Sequence, residues 1–480
     1  MSQNLSILLL LSLYFALLLL VSLFTSKRAD NDTFFRAQRN SPWMVVAFGM
    51  IGASISGVSF VSVPGMVHQQ GFTYLQMCMG FFLGYMVIAH LLLPLYYRRN
   101  YTSIYTFLEE RLGTHAHYTG TSFFLIGKLL GASARLYLVC WVLHFLVFQA
   151  WGIPFIFTAG VVVCLVWIYT HSGGIRTIVW TDALQTLCLL LTLCWMLILV
   201  IKHLDMSGIQ FWDAITQRGY TKCFVWNDWD SPQLFWKQFL SGMLVTIVMT
   251  GLDQDTMQKN LTCRSLQEAQ KNMYSYGITF LPINFLFLLL GAALLLWMEM
   301  QGQTCPAEGD HLLLTSVISG GLGRGVLFCF ALGIVAAAFS SADSAMTALT
   351  TGVCVDLLHV QNKSSKKATN IRRFVHIGVA FAIFLCVMLI SCLTSGTLLD
   401  TLYTLVGYTY GPLLGLYAFG LFTRHSTHDA YTPYVCIFSP VFCALLAWLL
   451  QHYFHYKMGY ELLMLNGLVT FLGLYLFKRS

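Results

Sequence analysis

Residues 336–351 read AAAFSSADSAMTALTT. On a helix of about 3.6 residues per turn, Ala337, Ser340, Ser341, Ser344, Thr347 and Thr351 fall within about a third of the circumference. Asp343 lies at the edge of this stripe, one turn from Ser340. A second unusual stretch, WMVVAFGMIGASISGVSFVSVPG (43–65), carries Gly49, Gly52, Gly57 and Pro64, which make it a poor regular helix, and hydroxyls at Ser54, Ser56, Ser59 and Ser62. Isolated charges stand in two other apolar runs: Asp182 in GGIRTIVWTDALQ (173–185), and Lys128 and Arg135 in GKLLGASARLYLVCWVLH (127–144). Hydroxyl and carbonyl oxygens suit hard cations. A guanidinium suits carboxylates, which it grips through two parallel hydrogen bonds.

Each feature has a plainer reading. Small residues and hydroxyls also serve helix–helix packing in membranes, which accounts for the Ala and Ser positions but not for Asp343. The glycines of 43–65 could serve close packing, or a helix broken in mid-membrane whose freed carbonyls need partners. Asp182 lies six residues past Arg176, about 9 Å into its helix. It suits an inner cation site or a pairing with a loop arginine. Arg135 fits an anionic solute or an intramembrane aspartate equally well. Lys128, nearer the cytoplasm, is expected to snorkel.

The elements that must position these residues are membrane helices. Of the 480 residues 57% are hydrophobic and 10% charged, against about 25% charged in a soluble protein. The net charge of +7 does not point to nucleic acid, because the basic residues stand in short loops between apolar runs. The 14 cysteines show no paired metal or redox spacing. At about 20 apolar residues per crossing, roughly thirteen spans are expected, near 5–25, 42–66, 72–96, 120–148, 154–171, 176–203, 235–257, 273–299, 316–352, 371–394, 398–422, 431–452 and 459–477. Basic residues follow the first span (Lys27, Arg28, Arg36, Arg39) instead of preceding it, so it reads as an uncleaved helix with its N-terminus outside. This orientation places Arg98, Arg99, Arg111, Arg176, Lys259, Arg264, Lys271, Lys363, Lys366, Lys367, Arg372, Arg373, Arg424, Lys478 and Arg479 inside, and the acidic Glu299, Glu308 and Asp310 outside. The Asn-x-Ser/Thr matches at Asn31, Asn260 and Asn362 also fall inside. Cys223 and Cys305, in neighbouring outer loops, could pair in an oxidising exterior or remain free.

Five separate stretches, GASISGVSFVSVPG (52–65), GGIRTIVWTD (173–182), TGLDQDTMQKNL (250–261), FSSADSAMTALTT (339–351) and GYTYGPLLGLYAFGLF (407–422), resemble motifs of the sodium:solute symporter family in family order. The resemblance implies an all-α polytopic fold like that of the leucine transporter, with two inverted five-helix repeats. The boundaries would be a peripheral helix and loop at 1–41, a first repeat at 42–203, an outer loop at 204–234, a second repeat at 235–424 and two peripheral helices at 425–480. It implies a main sodium site of the Gly52, Ile55 and Ala337 carbonyls and the Ser340 and Ser341 hydroxyls. A second cation site would use Asp182, Asp343 and Ser344, with Ser340 nearby. By likeness to the sialic acid branch, Ser54, Ser56, Ser59 and Arg135 would hold the solute.

These features point to a sodium-coupled importer of a small organic solute in the cell membrane, an acidic solute such as sialic acid or another carboxylate being favoured. Sodium is the only metal expected, and no enzymatic constellation of acid, base and nucleophile is present. The alternatives are a symporter of sugars or other neutral solutes, and a transporter-like membrane sensor.

Overall fold

The computed structural model describes residues 3–26, 31–171, 173–306, 309–318, 321–393, 398–456, 458–459 and 461–478. Of the expected flanking charges, Lys27, Arg28, Glu308 and Arg479 lie outside the described residues. Among the described residues, nine helices are long and apolar enough to cross a membrane, and two helix pairs, bent by 60° and 71°, are long and apolar enough when each pair is taken together. Two shorter apolar helices complete a set that matches the expected spans one for one.

In chain order the helices are α1 (Gln3–Thr25), α2a and α2b (Trp43–Ser54 and Gly57–Gln70), α3 (Tyr74–Arg98), α4 (Thr114–Trp151), α5 (Phe155–Thr170) and α6 (Ile175–His203). There follow α7a and α7b (Phe235–Gly251 and Gln254–Asn260), α8 (Leu266–Met300), α9 (Gly323–Leu357), α10 (Ser365–Leu393), α11 (Leu398–Phe422), α12 (Asp429–Phe454) and α13 (Glu461–Leu476). In α9, 78% of the most apolar window is buried, against 22% in α10 and in α12 and 28% in α1. The hydroxyl-rich helix is therefore central, and the leucine- and phenylalanine-rich faces of α1, α10 and α12 are left for lipid.

The α2 break follows from its sequence. The helical ladder ends where the Ile55 N–H donates to the Ile51 carbonyl at 3.0 Å, and resumes where the Phe60 N–H donates to the Ser56 carbonyl at 3.0 Å. Between these points the carbonyls of Gly52, Ala53, Ser54 and Ile55 leave the ladder. Ser56 caps α2b: its Oγ accepts the Ser59 N–H at 3.4 Å. Phe60 anchors this half against Phe287 of α8 in an edge-to-face pair at 5.4 Å.

The span expected near 235–257 also breaks, a feature not anticipated from the sequence. A wider π-type turn at Ile247–Gly251 leads into an interruption at Leu252 and Asp253. The Asp253 carboxylate then caps α7b, accepting the Asp255 N–H at 2.9 Å. A capping aspartate accomplishes here what the glycines accomplish in α2. The two broken helices stand at the starts of the two expected repeats.

Candidate functional site

The α2 break faces α9. The Ser341 hydroxyl donates to the Ala53 carbonyl at 3.2 Å and lies 3.3 Å from the Ala337 carbonyl. This places Ser341, Ala337 and the freed carbonyl segment from Gly52 to Ile55 at one junction. Ala53, between the two carbonyls expected from the sequence, is the one engaged. The back of α2a is fixed by close packing on α6. The Gly52 N–H donates to Thr186 Oγ1 at 3.1 Å, and a Cβ at Gly49 would lie 2.9 Å from Cβ of Asp182. Glycine here serves both the break and the packing.

Asp182 is fully buried beside this junction. Its Oδ1 accepts from Ser340 Oγ at 2.6 Å, and its Oδ2 lies 3.4 Å from Ser344 Oγ. Ser344 also lies 3.2 Å from Asp343 Oδ1, and Asp343 Oδ2 accepts from the Tyr169 hydroxyl at 2.9 Å. Asp182, Asp343, Ser340 and Ser344 therefore do converge. Their cationic neighbour is Lys259, whose Nζ lies 2.8 Å from Asp182 Oδ2 and 3.7 Å from Asp255 Oδ1. The sequence reading placed Lys259 among cytoplasmic loop residues and offered a loop arginine as partner for Asp182. Both points are corrected: Lys259 projects from α7b into the core, with 3% of its side chain exposed.

A cavity of 130 Å³ opens on the same junction, lined by Ser54, Ser59, Ser341, Arg135, Lys128, Asp253, Asp255, Lys259, Tyr276 and Tyr410, among others. Lys128 does not snorkel. It is buried, with Nζ 3.1 Å from both oxygens of Asp253 and 2.7 Å from Asp255 Oδ2. Tyr410 donates to Asp253 Oδ2 at 2.8 Å. The Tyr276 hydroxyl bonds Ser54 and is 3.0 Å from that of Tyr85. Ser54, Ser59 and Arg135, three of the expected solute ligands, line the cavity. Ser56 does not: its hydroxyl is spent on the α2b cap. Arg135 has no ion-pair partner among the described residues, and its buried Nε has no hydrogen-bond partner there.

Asp253, Asp255, Thr186, Tyr85, Tyr169, Tyr276 and Tyr410, and the core position of Lys259, are not singled out from the sequence. A usable signal was present: LDQDTMQKN holds three charges within seven residues at the end of an apolar run, with Asp255 and Lys259 one helical turn apart. Cys223 and Cys305 are both free thiols.

The model of the sodium:solute symporter family matches residues 34–430. The chain belongs to the sodium:solute symporter family. It is 25% identical over 397 residues to the rabbit (Oryctolagus cuniculus) sodium-dependent multivitamin transporter, covering 80% of this chain and 61% of the relative. It is 25% identical over 439 residues to the human sodium/iodide cotransporter, covering 85% of this chain and 65% of that one. The sodium/sialic acid symporter of Proteus mirabilis is 22% identical, with 86% and 84% covered. The chain thus spans less than two thirds of the multivitamin and iodide transporters. Among solved structures, a sodium-coupled sialic acid symporter in a substrate-bound outward-open state superposes with a TM-score of 0.81 at 19% identity, covering 99% of this chain and 97% of that one. A nucleobase-cation-symport-1 family transporter superposes at 0.55 and 14% identity, over 92% of each chain. The structural likenesses establish the fold, an all-α inverted-repeat architecture.

Proposed function

We propose that this symporter uses sodium to import a small organic anion, and that Arg135 recognises the anion's carboxylate. Sodium enters from outside and joins α2 to α9 through the carbonyls of Gly52, Ala53, Ile55 and Ala337 and the hydroxyls of Ser340 and Ser341. The solute binds beside it against Arg135, Ser54 and Ser59, the outer path closes, and both leave to the cytoplasm. Asp182, Asp343 and Ser344 form a second cation position, where Lys259 already has its ammonium. The repeats run over 42–203 and 235–424, and the chain lies in the cell membrane with its N-terminus outside and its C-terminus cytoplasmic.

The observation that carries this reading is a guanidinium in a polar cavity next to the α2–α9 junction, without a carboxylate partner among the described residues. Lys128 and Lys259 lie directly against aspartates, whereas Arg135 has no carboxylate within ion-pair distance among the described residues, which leaves its guanidinium available to an anion entering the cavity. The cavity is close in size to one of about 150 Å³ that holds benzene, which supports a small solute.

The test is uptake into proteoliposomes under an inward sodium gradient, with panels of radiolabelled carboxylates, sugars and amino acids. A carboxylate should accumulate only with sodium, and Arg135→Ala should lower its uptake about 100-fold or more. Sodium-driven accumulation of a sugar, undiminished in Arg135→Ala, would establish the neutral-solute reading in its place.

A further inference from the structure

We infer that Lys259 is a built-in cation for Asp182, so that the second cation position is filled by the protein's own ammonium and the transporter binds one sodium. The inference rests on the proposed main sodium site and concerns what stands beside it.

Three observations carry it. The Lys259 ammonium is 2.8 Å from Asp182 Oδ2, which is direct ion-pair contact, and both side chains are almost wholly buried. The remaining contacts of this carboxylate come from Ser340 and Ser344, the hydroxyls that a small cation would need as further ligands. The lysine is also held from behind, because Asp255 lies one turn earlier on α7b at 3.7 Å and is itself bound to Lys128. The ammonium is therefore placed by a chain of alternating charges running from Asp253 through Lys128, Asp255 and Lys259 to Asp182.

A sodium ion bound to Asp182 would have to approach within about 4 Å of this ammonium. Like charges that close, in a partly buried setting, weaken affinity by about a thousandfold. Sodium and ammonium are thus alternatives for Asp182, and the covalently tethered one has the higher local concentration. The main site needs no oxygen of Asp182 itself, since its expected ligands are carbonyl and hydroxyl oxygens on α2 and α9, although it shares the Ser340 hydroxyl with that carboxylate.

The experiment is equilibrium binding of radiolabelled sodium to the purified full chain in lipid nanodiscs, without solute, counting ions per protein at saturation. Wild type should bind one ion and Lys259→Arg should also bind one. Lys259→Gln frees Asp182 and should bind two. Two ions on wild type would overturn the inference, since the lysine would then give way to sodium. One ion on a monodisperse Lys259→Gln protein would also overturn it. If that variant does not fold, Ser341→Ala in the wild-type background decides: losing the single ion supports the inference, and retaining it places that ion elsewhere and overturns it. No sodium bound to wild type would overturn the sodium reading itself, a result distinct from the others.

Discussion

Ser341 joins two helices with one hydroxyl, since its Oγ reaches a carbonyl of the broken α2 and another of α9. Ser341→Ala removes that oxygen from the proposed sodium cage. A hydrogen-bonding or ligating group facing a charge is worth about 1.5–3 kcal/mol, so the sodium concentration for half-maximal uptake should rise about tenfold or more. Measurement of uptake against sodium checks this; an unchanged half-saturation would remove Ser341 from the cage. Lys128 carries a different load. Lys128→Ala strands two buried aspartates, and breaking a buried pair in this way costs about 3–5 kcal/mol. The melting temperature should fall markedly, and adding Asp255→Ala should recover part of the loss. Equal melting temperatures for wild type and Lys128→Ala would show that water reaches the pair.

At the scale of elements, the two broken helices differ in what breaks them. The α2 break was legible in the sequence because Gly52, Gly57 and interleaved serines weaken a helix wherever they occur. The α7 break was not, because its cause is an aspartate that caps the second half, and a capping role depends on where the chain turns. The same difference explains Lys259: a hydropathy ruler ends the span before it, whereas a bend of 71° carries it back into the core. The hydroxyl stripe of α9 was legible because helical periodicity alone places it on one face. Spacing alone does not distinguish a cavity-lining hydroxyl from a capping one, so it groups Ser56, which caps α2b, with Ser54 and Ser59, which line the cavity. Packing of the first break gives a further prediction. A Cβ at Gly52 would overlap the Thr186 side chain, while one at Gly378 on α10 meets nothing within 4 Å. Gly52→Ala should abolish uptake, whereas Gly378→Ala should leave it intact and leave the melting temperature equal or slightly higher, by up to about 1 kcal/mol of stability. Parallel uptake and thermal-melt measurements on the two variants check the contrast, and a fully active Gly52→Ala would mean that α2a is free to move off α6.

At the scale of the whole molecule, the ammonium fixed on Asp182 decides what the membrane voltage can contribute. A monoanion carried with a single sodium ion moves no net charge, so the cycle is electroneutral. A charge crossing 100 mV is worth about 2.3 kcal/mol, and the wild-type protein would have no access to that energy. Its accumulation ratio would be limited by the sodium ratio alone: about tenfold for a tenfold gradient, or about 1.4 kcal/mol. Clamping vesicles at different potassium diffusion potentials should leave wild-type uptake unchanged. In Lys259→Gln the same clamp should alter uptake, because each turnover would then carry one positive charge inward. A tethered amine in place of a second ion would make this a carrier that works as well in a depolarised cell as in a polarised one.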